Sequence, residues 1–159
     1  MARFVFDGKY KIYALAAKVA DPAAPKLTEL GAGVEITAFV AKDGFKPGVS
    51  NARVAGGDLS TVFAAESMGT FGSQLSIDCY LDDVAANNIA YNLIGVRGFT
   101  GSIVVVPSGP AAVGKTAYVW PDVEAGTPVP MNTATNERQK FVAELAVRAQ
   151  PNFNAALVA

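Results

Sequence analysis

One segment of the sequence matches the phosphate-binding loop of nucleotide hydrolases in residue type and spacing. Residues 109–116 carry Gly, Gly, Lys and Thr at every fixed position of that pattern. The chemistry also needs a helix that begins at the Lys-Thr pair, so that backbone N–H groups face the phosphates. Residues 117–121 are instead β-branched, aromatic or small, and Pro121 would interrupt a helix within its second turn. The segment therefore predicts a turn between two strands, with a nucleotide-binding enzyme as the alternative.

Side chains for nucleophilic or zinc chemistry are scarce. The chain contains no His, so Ser67 and Cys79 lack the base that usually activates such a nucleophile. Zinc ligation is disfavoured for the same reason. Cys79 alternates with Ile77 and Leu81 along an apolar strand face, which indicates a small buried hydrophobic residue.

Two pairs of acidic residues remain as candidates for carboxylate chemistry. A helix cap explains Asp82 and Asp83, and a solvated strand face explains Asp122 and Glu124, without a hydrolytic role. We therefore expect a protein that is not an enzyme and that needs neither a cofactor nor a metal.

The composition points to surface that is covered by partners. Hydrophobic residues make up 51% of the chain and charged residues 17%, against a usual charged share of about 25%. The net charge of -1 includes no run of Lys or Arg, so the sequence lacks the basic patch of a nucleic-acid-binding or membrane-surface protein. The N-terminal apolar run reaches Asp7 too soon for a secretory signal. The longest charge-free stretch is broken by Gly and Pro, which predicts no transmembrane span.

Alternation of apolar and polar residues predicts several β-strands. Such alternation is typical of a strand with one buried face. The alternating segments are 34–40, 75–81 and 141–147. Runs rich in β-branched and aromatic residues predict further strands at 103–106 and 116–120, and a further strand is expected near 9–16.

One segment has helical periodicity instead. Apolar residues at helical spacing predict an amphipathic helix over residues 84–96, capped by Asp82 or Asp83 and ended by Gly95 or Gly98. Turn signals lie at residues 43–44, 47–48, 56–57 and 108–109. Many short strands with one helix predict a mainly β (α+β) fold, a β-sandwich or barrel with one flanking α-helix, in a single domain 1–159.

Residues 42–73 form a long connection without clear periodicity. The segment is rich in Gly yet carries many apolar side chains, so disorder is not expected. Two interpretations stay open. The segment contains one or two unrecognised strands that pack on the core, or it is an arm that buries its apolar residues against another subunit.

Several blocks of sequence resemble, in order and spacing, the major tail proteins (tail tube proteins) of long-tailed, non-contractile bacteriophages, in particular those that infect actinobacteria. The opening block is residues 28–37. It is followed by 92–98 leading into 101–106, then 113–123 with 126–130, and finally 140–148 with the tail 155–159. The resemblance covers residues 28–159, and the order of the blocks is more specific than any one of them.

The resemblance implies a structural subunit that assembles from copies of itself. Members of this family fold as a β-sandwich with one flanking helix, form hexameric rings whose inner strands join into one β-barrel, and stack these rings into a tube that conducts DNA from the capsid to the host. The implied partners are copies of the chain, a tape measure protein, a tail terminator and distal tail proteins, without a membrane. The implied location is the virion tail, after assembly in the host cytoplasm. Related alternatives are a tube-ring protein of a secretion system and a head-stabilising phage protein.

The resemblance also assigns roles to parts of the chain. It implies an N-terminal arm at about 1–26, a long inter-ring loop at about 42–73 and a C-terminal arm at about 149–159. The residues expected at the inter-ring interface are Phe45, Pro47, Val49, Val54, Phe63, Met68 and Phe71. Phe153 and Leu157 are the expected contacts of the C-terminal arm. Asp at Phe45 and Val49 is expected to block stacking and to spare the fold.

A tube that lets DNA slide should avoid clusters of Lys and Arg, because these bind phosphates by releasing counterions. Glu35, Asp78 and Glu144 lie on the polar sides of the predicted strands. We therefore expect these three carboxylates on an acidic lumen wall, with ordinary solvated strand faces as the alternative.

Overall fold

The structure is a computed structural model that describes residues 8–56, 66–131 and 137–159. Within these ranges antiparallel strands dominate, which confirms the mainly β prediction. The strands are β1 (Lys11–Leu15), β2 (Val34–Glu35), β3 (Val40–Ala55), β4 (Glu66–Tyr80), β5 (Thr100–Val106), β6 (Thr116–Ala125), β7 (Val129–Pro130), β8 (Lys140–Val147) and β9 (Asn152–Ala156). The helices are α1 (Leu27–Ala32) and α2 (Ile89–Ile94), with 3-10 turns at Thr37–Phe39 and Ala85–Asn87. Neither helix is long enough to cross a membrane, and the described ranges contain no other.

The strands join in one sheet whose two ends are consecutive in the chain. The order is β2-β1-β5-β6-β8-β4-β3, with β7 on β8 and β9 on β6. The end strands β2 and β3 are connected only by Ile36 and the 3-10 turn Thr37–Phe39. The sheet must therefore curl until its two ends lie on either side of this turn, which is the sandwich or open barrel that the sequence predicts.

The curled sheet encloses an inner hydrophobic core. Here the β3-β4-β8 half of the sheet packs against the β1-β5-β6 half. The largest fully buried side chains of the inner core are Trp120, Phe141, Ile36, Ile77, Ile94 and Ile103. The helix α2 adds Ala90 to this core, as expected for a flanking helix.

An outer hydrophobic core covers the opposite face of β1, β5 and β6. Leu30 of α1 and Leu157 at the C-terminal end pack there against Val104 and Val106. The strand β5 therefore has apolar side chains on both faces, since Ile103 and Val105 belong to the inner core and Val104 and Val106 to the outer core. Burial on both faces explains why the β5 sequence is continuously apolar rather than alternating.

Two sequence predictions need correction at element boundaries. The strand predicted over 34–40 ends at Glu35 and gives way to the 3-10 turn. The reason is that Thr37 Oγ1 accepts a hydrogen bond from the Ile12 backbone N–H, which turns the chain there. The helix predicted over 84–96 is shorter, because Asp82 Oδ1 accepts from the Val84 backbone N–H and forms a turn before α2 begins. The expected end at Gly95 is confirmed.

The segment 42–73 is a long β-hairpin in its described part. The turn signals at 43–44 and 47–48 lie within β3 instead of ending it. Gly44 permits this course, because a Cβ atom there would lie 2.5 Å from the Asp78 carbonyl oxygen of the neighbouring β4. Of the turn signal at 56–57, residue 57 lies outside the described residues. The signal at 108–109 falls in the β5–β6 connection as expected.

A group of charged side chains ties the β1–α1 connection to the ends of two strands. Lys18 Nζ lies 2.7 Å from Asp122 Oδ2, and Arg148 donates to Asp122 Oδ1 at 2.7 Å and to Glu124 Oε2 at 2.8 Å. The hydrogen bond from Lys18, followed by that from Arg148, lowers the pKa of Asp122 below its ordinary value.

This lowered pKa predicts an acid-sensitive contribution to stability. A carboxyl group with a lower pKa in the folded state stabilises the fold above its unfolded pKa of about 3.9, and the contribution is lost as the pH falls through the folded pKa. Denaturant unfolding at a series of pH values should therefore show that Asp122→Asn costs stability near neutral pH and progressively less below about pH 4. Asp43→Asn, at an exposed site on β3, is the control. A cost of Asp122→Asn that is the same at every pH would contradict the assignment.

Candidate assembly site

The outer part of the β3–β4 hairpin extends beyond the rest of the sheet. β8 pairs with β4 only from Tyr80 to Gln74. Beyond Gln74 the hairpin continues through the pairs from Val49–Ser73 to Ala55–Glu66, and no third strand lies beside it in the described residues. We call this two-stranded part, residues 49–55 and 66–73, the ribbon. An isolated two-stranded hairpin is at best marginally stable in water, so the ribbon needs a further surface to pack against.

One side of the ribbon continues the buried side of the sheet. Phe71 follows Leu75 at strand spacing on β4, and Val49 follows Phe45 and Pro47 on β3. Leu75 is buried in the inner core, whereas Phe71 is 44% and Val49 49% exposed. An apolar strand side that leaves the core and stays open is typical of a surface for another protein.

The predicted inter-ring residues fall into two groups. Val49, Val54, Met68 and Phe71 lie on the ribbon and are exposed, Met68 by 71%. Phe45 and Pro47 lie at the root of the hairpin. Phe63 lies outside the described residues.

Phe45 is a core contact of its own subunit. Its ring lies 5.6 Å from the ring of Trp120 and 5.9 Å from that of Tyr10, measured between centroids. Asp at this position would place a charge against two aromatic rings, so we expect it to destabilise the fold instead of sparing it. Val49, by contrast, lies on the ribbon and is 49% exposed.

The two ends of the curled sheet, β2 and β3, meet along a line that we call the seam, and the β3 side of this seam is open. Among the described residues β3 pairs only with β4, so the backbone groups along its other edge have no strand partner. A groove of about 720 Å³ runs along this seam, with Tyr10, Phe45 and Tyr118 in its wall. Burial, with a smaller contribution from Tyr118, raises the pKa of Tyr10 to about 12, so this hydroxyl stays neutral at physiological pH.

Two of the three predicted lumen carboxylates share one face of the sheet. Asp78 and Glu144 lie on the side of β4 and β8 that faces away from the inner core. Glu35 lies on β2 at the far end of the sheet order, where it pairs with Lys11 at 2.6 Å. Asp78 and Glu144 therefore lie on neighbouring strands, whereas Glu35 lies at the other end of the sheet, and the exposure of all three to a lumen stays a prediction.

Asp78 is not the solvated residue that its polar neighbours suggested. It is only 6% exposed, and its Oδ2 lies 2.5 Å from Lys46 Nζ of β3. Its Oδ1 is buried and has no hydrogen-bond partner among the described residues. The sequence did not indicate Lys46 as the partner of Asp78. This contact depends on the strand register, which pairs Lys46 with Ser76 on β4.

Residues 109–115 lie in the β5–β6 connection, and β6 begins at Thr116, where a phosphate-binding loop would need a helix. Lys115 Nζ donates to the Ser108 carbonyl oxygen at 2.6 Å, so the lysine closes its own loop. The prediction of a turn between two strands is confirmed.

The candidate nucleophiles have structural positions. Cys79 is buried in the inner core, as predicted, and burial followed by the charge of Asp78 raises the pKa of its thiol to about 12. Ser67 lies on the ribbon, paired with Val54. The described residues hold no group of His, Cys, Asp and Glu that would bind a metal ion.

The expected arms are largely part of the subunit body. β1 lies between β2 and β5, so residues 11–15 belong to the sheet, and residues 1–7 lie outside the described ranges. At the other end β9 pairs with β6, and Leu157 is 1% exposed in the outer core. A contact of Leu157 with an adjacent subunit would require this segment to leave its own subunit.

Phe153, the second expected contact of the C-terminal arm, is half-exposed. Its ring lies 5.3 Å from that of Trp120 and 6.2 Å from that of Tyr118. This side chain therefore packs on its own subunit and keeps a free face for another one.

The chain was compared with protein families, curated proteins and solved structures. The family model described as "Phage tail tube protein" matches residues 1–159, the whole chain. No curated protein matches. A chain of the six-fold symmetrised cryo-EM structure of the anti-feeding prophage (AFP) baseplate is similar in fold, with a TM-score of 0.58, 9% identity and coverage of 96% of each chain. A chain of the crystal structure of Hcp1 from Salmonella typhimurium has a TM-score of 0.39 and 14% identity, over 87% of this chain and 82% of that chain.

Proposed function

The chain belongs to the phage tail tube protein family, and from this premise we propose that it forms hexameric rings that stack into the conduit for DNA between capsid and host. Its role is structural: the chain is a subunit of the tail tube, and its working surfaces are those that bind further copies of itself. Its further partners in a non-contractile tail would be a tape measure protein, a tail terminator and distal tail proteins.

The observation that carries this proposal is the ribbon. Its apolar side extends the inner core beyond the subunit, where Phe71 and Val49 find no cover from the described part of their own chain. A second copy in a neighbouring ring would supply that cover and remove the apolar side chains from water. Each fully buried Val or Phe contributes about 1.5–3 kcal/mol, and the contact recurs in every subunit of a ring.

The open edge of β3 supports closure within a ring. A free strand edge is a template for pairing with another chain, and a closed barrel satisfies every edge. If β3 pairs with a strand of the adjacent subunit, the β3-β4-β8 halves join into one barrel. The barrel wall would then have two surfaces. The surface that packs on the inner core of each subunit would face outward, and the surface with Asp78 and Glu144 would face the lumen.

The test is the assembly state of the purified chain. We expect negative-stain images to show rings or tubes without any ligand, and sedimentation to show a mass that increases with protein concentration. Tubes should carry a central channel in cross-section. A chain that remains monomeric at all concentrations, or that assembles only with another protein, would contradict the proposal.

A further inference from the structure

The pair of Lys46 and Asp78 suggests how a lumen that must not hold DNA can contain a lysine. Lys46 lies on the side of the β3-β4-β8 half of the sheet that faces away from the inner core, and its side chain is 55% exposed, whereas that of Asp78 is 8% exposed. The ammonium group therefore lies at the surface while its counter-charge lies beneath it. A surface pair with two mobile partners would exchange easily with salt ions.

The burial of Asp78 makes this pair different from an ordinary surface ion pair. A carboxylate taken out of water loses its hydration and is costly unless a charged partner stays close. Oδ1 has no donor among the described residues, and Lys46 is the partner of Oδ2. The carboxylate therefore holds the Lys46 ammonium group against the sheet, and its charge cancels that of the lysine.

Other charged side chains lie on or near this face, and Arg138 is one of them, with its guanidinium carbon 5.7 Å from the ring centroid of Tyr80. Lys140 lies on β8 opposite Tyr80, with its Nζ 5.4 Å from the ring centroid, and Glu144 lies two positions further along the same strand face. Near the pair, the floor of this face is made of small or neutral residues: Gly48, Gln74, Ser76 and Ala146. Loss of the Asp78 charge would leave Lys46 without its counter-charge and add one net positive charge to this face in each subunit.

We propose that Asp78 is a charge-masking residue: it neutralises Lys46 so that the wall of the channel does not bind the phosphates of passing DNA. This inference rests on the proposed function, because it needs the face with Asp78 to line the lumen. A ring brings one copy of Lys46 from every subunit to the same height, and stacking repeats this belt along the tube. Unmasked cations at this density would release counterions from DNA and retain it.

The experiment measures DNA that is trapped inside tubes. Tubes are assembled with a short linear DNA duplex, outside DNA is digested with nuclease, and the protected DNA that sediments with the tubes is quantified at low and high salt. We expect Asp78→Asn tubes to retain at least about tenfold more protected DNA than the wild type at low salt, and to release it at high salt. The double variant Asp78→Asn with Lys46→Gln should return to the wild-type level.

A matched control separates this inference from the orientation on which it rests. Gln74→Lys adds one positive charge per subunit at an exposed site on the same face, the same net change as Asp78→Asn. If Gln74→Lys tubes retain DNA and Asp78→Asn tubes do not, the masking role is wrong and the lumen assignment stands. If neither retains DNA, this face does not line the channel, and the proposed orientation fails together with the inference.

Two further outcomes are decisive. Retention by the double variant equal to that of Asp78→Asn would exclude Lys46 as the cation that is masked. If Asp78→Asn does not assemble, Asp78→Ser offers a smaller neutral side chain at the same site and is judged by the same measurement. Imaging of every variant confirms that tubes are present before retained DNA is compared.

Discussion

Tubes are expected to disappear when Phe71 is replaced by Asp, while the isolated chain keeps its fold. Phe71 lies on the apolar side of the ribbon and is 44% exposed in its own subunit. If another copy covers this side, the change removes about 2 kcal/mol of apolar burial per contact and adds the cost of a carboxylate in an apolar interface. The loss recurs in every subunit. Negative-stain imaging and sedimentation measure assembly, and thermal unfolding measures the fold.

The matched control for Phe71→Asp is Ser50→Asp. Ser50 is exposed on the ribbon, paired with Gly72, and lies on the opposite side from Val49. It therefore receives the same charge without entering the apolar side, and we expect tubes to form. Normal tubes from Phe71→Asp would contradict the role of the apolar side. Equal loss with both variants would mean that charge anywhere on the ribbon, rather than apolar contact, decides assembly.

The replacement of Leu157 by Ala is expected to destabilise the isolated subunit by about 2–5 kcal/mol, the cost of removing a large side chain from a tightly packed core. Leu157 is fully buried in the outer core. The segment around it is tied to its own chain, because the Val158 backbone N–H donates to the Pro25 carbonyl and the Leu27 backbone N–H donates to the Val158 carbonyl. Denaturant unfolding of the unassembled chain is the measurement.

Phe153→Ala is the control for Leu157→Ala within the same segment. Phe153 is 42% exposed and packs its ring against Tyr118 and Trp120, so we expect its loss to cost less than that of Leu157, about 1 kcal/mol. If Leu157→Ala leaves the unassembled chain unchanged and weakens only the tubes, the C-terminal segment belongs to an adjacent subunit, as the resemblance to tail tube proteins implied. A loss in the unassembled chain assigns it to the subunit itself.

The sequence predicted most of the sheet because burial and periodicity agree there. In β4 and β8 one side faces the inner core and the other does not, so apolar and polar residues alternate over 75–81 and 141–147. The β6 strand was recognisable from residues that favour strands, even though its first residue, Thr116, completes a phosphate-binding pattern.

Predictions failed where a contact distant in sequence decides the local structure. Alternation continues through Ile36 and Ala38, but a hydrogen bond between Thr37 and Ile12 replaces the strand by a turn. The β3–β4 hairpin was not predicted from the sequence. About half of it extends beyond the core, so its apolar and polar residues do not alternate as they do in a strand with one buried face. For the same reason the root residue Phe45 and the ribbon residue Phe71 looked alike in the sequence.

The amino-acid sequence by itself determined the mainly β class, the single flanking helix of the inner core and the lack of a helix after Lys115, because these depend on local propensity and periodicity. The tertiary structure alone decided which apolar side chains stay open for assembly and which charges meet. Phe45 became a core residue, Phe71 a candidate contact and Asp78 the buried partner of Lys46. The physical reason is that burial and charge pairing depend on strand register, which joins residues far apart in the chain.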